Sequence, residues 1–91
     1  MTTNPSPFLE VTYRRGKPLA AYLYLRRRGE GHSAKTIDVG NGMILDLAAD
    51  GRPIGVEISA PSHFDLRLLN EVLAAYGVPP VGENEIRPIP G

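Results

Sequence analysis

The run Met43-Ile44-Leu45-Asp46-Leu47-Ala48-Ala49-Asp50-Gly51-Arg52-Pro53-Ile54-Gly55-Val56-Glu57-Ile58 decides the fold. Met43, Leu45 and Leu47 alternate with Ile44 and Asp46. Ile54, Val56 and Ile58 alternate with Gly55 and Glu57. This is the period of two that a half-buried strand imposes. Between the two strands, Asp50-Gly51 reads as a reversal. Upstream, Thr36 to Val39 predicts a further strand with Ile37 and Val39 inward, and Gly40-Asn41-Gly42 suits a tight hairpin. Leu9 to Arg14 alternates in the same way, and Arg15-Gly16-Lys17-Pro18 reads as the turn after it. The next strand, Leu19 to Arg27, is apolar on both faces, with Leu19, Ala21, Leu23 and Leu25 on one and Ala20, Tyr22 and Tyr24 on the other. That predicts an internal strand covered on both sides.

Downstream the period becomes that of a helix. Ser62 reads as the N-cap, with Asp65 three positions on to return a hydrogen bond. Phe64, Leu68, Leu69, Val72, Leu73 and Tyr76 make an apolar face. Arg67, Asn70 and Glu71 belong to the wet face, where Arg67 meets Glu71 at i,i+4. Gly77 suits the C′ position and Pro79-Pro80 forbids continuation. The expected class is α+β: a curved antiparallel sheet of four to five strands with one C-terminal helix packed on one face. Residues 1–7 read as a disordered lead-in, 8–77 as a single domain and 78–91 as a proline-rich arm or tail.

A chain of 91 residues with 42% apolar content, 22% charged content and zero net charge fits one globular domain. The absence of cysteine excludes a disulfide framework and thiolate metal sites. The first residues lack the pattern of a signal peptide, and no apolar run approaches the ~20 residues that span a membrane. A cytoplasmic protein is expected. The balanced charge conceals an asymmetry: residues 1–35 carry seven Lys/Arg against two Glu, and residues 36–91 carry three Arg against eight Asp/Glu.

No residue pattern specifies catalysis. A small hydrolase-like enzyme would pair His32 or His63 with Ser33, Ser59 or Ser62 and a carboxylate such as Asp46 or Glu57, but there is no nucleophile elbow. No H-E-x-x-H spacing, complete calcium loop or phosphate-binding glycine motif occurs. The reading therefore names no catalytic residue, metal ligand or cofactor. Binding cues are clearer. Arg26-Arg27-Arg28, with Arg14 and Arg15, can grip an acidic partner or phosphates. Glu57 sits opposite three core aliphatics as a fixed acid on the other face. Tyr22, Tyr24 and Ile44 on a second apolar face predict self-association as a two-fold homodimer. The competing account folds the tail back over that face through Val78, Val81, Ile86 and Ile89. The expected function is a small protein-interaction or regulatory domain without catalytic activity, with a protein partner and no membrane. The alternative is a nucleic-acid-binding accessory domain using the arginines.

The stretch from Gly42 to Ser62 resembles a small uncharacterised prokaryotic family, domain-of-unknown-function family 2283. Its pattern is a strand, an acidic turn with glycine, Ile-x-Gly-Ile-Glu-Ile and a small-residue step into a helix. Here that pattern stands as Asp50-Gly51, then Ile54-Gly55-Val56-Glu57-Ile58 and Ser59-Ala60-Pro61-Ser62. Val11-Thr12-Tyr13 and Tyr22-Leu23-Tyr24-Leu25 resemble its first two strands, so the likeness spans residues 9–76. This chain has Arg14, and Leu19 or Ala20, where the family usually has acids. The resemblance implies the fold and no established activity. Antitoxin-like partners of small ribonuclease-like toxins among its members make an antitoxin-like role one expectation.

Overall fold

The computed structural model describes residues 7–25, 32–87 and 89. Five strands, β1 (Phe8–Arg14), β2 (Lys17–Tyr24), β3 (Lys35–Gly40), β4 (Met43–Leu47) and β5 (Pro53–Ile58), precede the α-helix α1 (Leu66–Ala75). They form an open antiparallel sheet in the order β1-β2-β5-β4-β3. The fifth strand along the chain is therefore the middle one, and it joins the β1–β2 hairpin to the β3–β4 hairpin. β2 is internal, as its apolar character on both faces predicts, but the helix covers only one of those faces. The expected α+β class holds.

The hairpin turns set the registers. Arg15-Gly16 and Asn41-Gly42 all have positive φ, at 53°, 77°, 51° and 73°. Two consecutive residues in that region twist a two-residue turn in the sense that strands require. β2 consequently begins at Lys17, two residues earlier than the sequence suggested. Thr12 then faces Ala20 while Tyr13 faces Pro18, so Leu19 has no opposite residue. Such a bulge is where a strand tolerates a proline lacking an N–H. Asp50 braces the β4–β5 turn, accepting from the Arg52 amide and from Arg52 Nε, each at 2.9 Å.

The helix starts later than expected. Pro61–His63 is a turn of 3-10 helix, Phe64 is extended, and Asp65 rather than Ser62 is the N-cap, accepting from the amides of Arg67 and Leu68. Phe64 and Leu69 are both buried at the N′ and N4 positions of a hydrophobic staple, which fixes the entry of the chain at Asp65. The C-terminal end follows the expectation at Gly77. The Val78 amide donates to the Leu73 carbonyl and the Gly77 amide to that of Ala74, the paired bonds of a Schellman motif. Tyr76 ends the helix exposed and leaves the apolar face.

The core lies on one side of the sheet. Ala21, Leu23, Met43, Leu45, Leu47, Val56 and Ile58 form a single buried cluster with Phe64, Leu69 and Leu73. Val81, Ile86 and Ile89 complete the same cluster, so the proline-rich segment joins the core on the helix side and does not cross to the second face. Asn70, assigned by its period to the wet face, is instead partly buried. Its side chain takes both backbone groups of Val81, with Nδ2 donating to the carbonyl at 3.1 Å and the amide donating to Oδ1 at 2.8 Å. Residues 1–6 of the lead-in expected over 1–7, and Arg26 and Arg27 at the expected end of the second strand, lie outside the described residues.

Candidate functional site

The strand period that sends Leu23, Leu45 and Val56 into the core sends their neighbours to the opposite face. The registers align them in two adjacent rows across the whole sheet: Phe8, Tyr24, Gly55, Asp46 and Thr36, then Glu10, Tyr22, Glu57, Ile44 and Asp38. The rows hold four carboxylates and three aromatic rings, and neither contains a basic residue.

Tyr22 organises this face. It stands opposite Glu57 in the ladder, but its ring runs diagonally over Gly55 so that the hydroxyl donates to Asp46 Oδ2 at 2.7 Å. A Cβ at position 55 would collide with the Tyr22 ring, so the glycine is what lets the ring cross β5. The Tyr22 and Tyr24 ring centroids are 4.7 Å apart with the planes tilted by 56°. Phe8 extends the group, 5.9 Å from Tyr24. The Tyr24 hydroxyl donates to Glu10 Oε1 at 3.2 Å. Burial, the hydrogen bond to Asp46 and the negative charges of Asp46 and Glu57 push the Tyr22 phenol well above its ordinary value. It therefore stays protonated and remains a donor.

Glu57 is exposed beside these rings, while Tyr22, Tyr24, Ile44 and Asp46 are half-buried. Ring faces flanked by carboxylates attract a guanidinium or ammonium group and repel a phosphate. The structure thus gathers Tyr22, Tyr24, Ile44 and Glu57 on one surface. Arg14 and Arg15 are exposed at the β1–β2 turn, where Arg14 pairs with Lys17. Arg26, Arg27 and Arg28 lie outside the described residues. Alternation put Asp46 and Gly55 on this face, but sequence reasoning missed them as members of the site, where they meet Tyr22. An isolated glycine inside a strand pattern is a signal of close approach, whereas its place beside Asp46 comes from the β4–β5 register.

His32 and His63 are both exposed. Among the described residues no group of three or more His, Asp and Glu is placed to hold a metal ion, and no helix is long and apolar enough to cross a membrane.

Residues 20–60 match the family model described as Protein of unknown function (DUF2283). The match is shorter than the resemblance read over 9–76, but it contains Tyr22, Tyr24, Ile44, Asp46, Gly55 and Glu57, and leaves out β1 and the helix. No curated protein and no solved structure matches the chain.

Proposed function

We propose that this chain, a protein of domain-of-unknown-function family 2283, is a small protein-interaction domain that takes a basic segment of a partner protein on the sheet face opposite its helix and arm. The observation that carries this reading is the pair of adjacent rows in which Tyr22 and Tyr24 lie among carboxylates, on the side that the helix and arm leave open. An arginine or lysine side chain gains from both the ring faces and the charge of Glu57. Self-association by stacking two such faces through Tyr22, Tyr24 and Ile44 would set carboxylates against carboxylates, which like-charge repulsion disfavours. The same charges disfavour nucleic acid at this surface.

Titration of isotope-labelled protein with a short arginine-rich peptide tests the proposal. Chemical-shift changes should centre on Tyr22, Tyr24, Ile44 and Glu57, and should weaken as salt rises. Glu57→Lys should lower the affinity about tenfold, or about 1.4 kcal/mol. Changes confined to other surfaces, or an RNA oligonucleotide binding these residues more tightly than the peptide, would overturn it.

A further inference from the structure

The two edges of the sheet are built differently. On β3 the ladder slips between Asp38 and Gly40, and Asp38 Oδ1 accepts from the Gly40 amide at 2.9 Å. A bulge and a charged side chain are devices that keep an edge from pairing. β1 carries charges at Glu10 and Arg14, of opposite sign, but it has neither proline nor an inserted residue of its own, because the extra residue of its ladder, Leu19, belongs to β2. Among the described residues nothing pairs with its outer side. Among the described residues, three of the four exposed large apolar side chains lie in this hairpin: Phe8 at 56% exposure, Tyr13 at 52% and Leu19 at 49%.

The two-residue turn fixes which main-chain groups the edge offers. Arg14 and Lys17 close the hairpin, so the N–H and C=O of Arg14 turn toward β2. By alternation those of Tyr13, Val11 and Leu9 turn outward.

We propose that β1 pairs edge to edge and antiparallel with β1 of a second copy, about a two-fold axis at Val11. That axis lies at the midpoint of Phe8–Arg14, so the full length of the strand is paired. Val11 then faces the partner's Val11, Leu9 the partner's Tyr13, Glu10 the partner's Thr12 and Phe8 the partner's Arg14. The outward groups make about six main-chain hydrogen bonds. No like charges stand opposite one another. Phe8 gains a guanidinium over its ring, and Glu10 reaches the partner's Arg14 on the diagonal. Moving the register by one pair toward the start of β1 would set Glu10 against itself. Edge pairing continues the sheet into a second molecule and lays the two acidic faces side by side, so both remain open. The inference stands on the edge alone and is independent of what the open face binds.

Sedimentation equilibrium from about 1 to 100 μM should give a mass near twice the 9.9 kDa of the chain. The chain has no cysteine, so introduced thiols report the geometry. A mixture of the Glu10→Cys and Thr12→Cys proteins should form a disulfide between the two variants, whereas Ile44→Cys should stay reduced. Val11→Pro should weaken association about tenfold or more by removing an outward donor. Tyr13→Lys, at an exposed site, should weaken it with the circular dichroism spectrum unchanged, which covers the case in which Val11→Pro unfolds. A mass of one chain throughout the range would overturn the pairing. So would a dimer that cross-links through Ile44→Cys and not through Glu10→Cys with Thr12→Cys.

Discussion

On one face of the sheet, Leu23, Leu45 and Val56 are wholly buried in a cluster with Leu69, Leu73 and Ile86. On the other, the residues beside them in the same strands are Tyr22 and Asp46, half-buried and joined by a phenol–carboxylate bond, and exposed Glu57. The backbone is shared, so the contrast lies entirely in alternate side chains. Apolar burial against the helix and arm stabilises the molecule, and the partly wet opposite surface is where polar and aromatic groups can meet a partner. Neighbouring substitutions can therefore separate stability from recognition, one residue apart.

The strongest test of that division is the pair Leu45→Ala and Ile44→Ala, assayed by urea unfolding. Leu45 is wholly buried, and its truncation should cost about 3 kcal/mol through lost transfer energy and the cavity left behind. Ile44 is half-buried on the open face, and its truncation should cost about 1 kcal/mol or less. Equal losses would show that the second face is a core as well.

Gly55→Ala comes next. Its new methyl would have to displace the Tyr22 ring, which should cost about 1–3 kcal/mol. In a Tyr22→Ala background the same change should cost much less. Additive losses in that double-mutant cycle would remove the link between glycine and ring.

Asn70→Ala asks how much of the covered face depends on the arm. Losing both side-chain bonds to Val81 should cost about 1–2 kcal/mol. Hydrogen exchange should speed up at the Val81 amide more than in β4. Uniform acceleration would instead mean that arm and sheet open together.

The smallest effect should appear in alkali. The folded state raises the Tyr22 phenol above its ordinary value of 10.0, so the unfolded chain loses that proton first. The contribution to stability is present in full below pH 10 and is lost as pH rises from there toward the folded value. Tyr22→Phe should flatten the decline of stability above pH 10, and an unchanged slope would place its cause in other groups.

The strands were legible because side-chain alternation is local and the turn residues carry their own conformational signal, as at Asn41-Gly42. Ser62 misled because Ser-x-x-Asp has the composition of a capping box, whereas Phe64 has to enter the core and thereby moves the cap to Asp65. Asn70 misled for a different reason. Helical period places it with Arg67 and Glu71, and its partner is a backbone eleven positions away that no periodicity reveals. The open face was half legible: Tyr22, Tyr24, Ile44 and Glu57 follow from alternation within their strands. Their meeting with Asp46 and Glu10 depends on strand order and register, which are set by long-range pairing.

The middle position of β5 also governs how the chain can acquire its structure during synthesis. The β1–β2 hairpin leaves the ribosome well before the strand that ties it to β4. At roughly 5–20 residues per second, it waits on the order of seconds with the inner side of Leu23 unsheltered. The helix and arm that shelter it emerge later still, because every strand precedes them in the chain. Nascent molecules thus pass through a stage in which an unpaired side of β2 and a bare apolar surface coexist, the state in which holding chaperones are most needed.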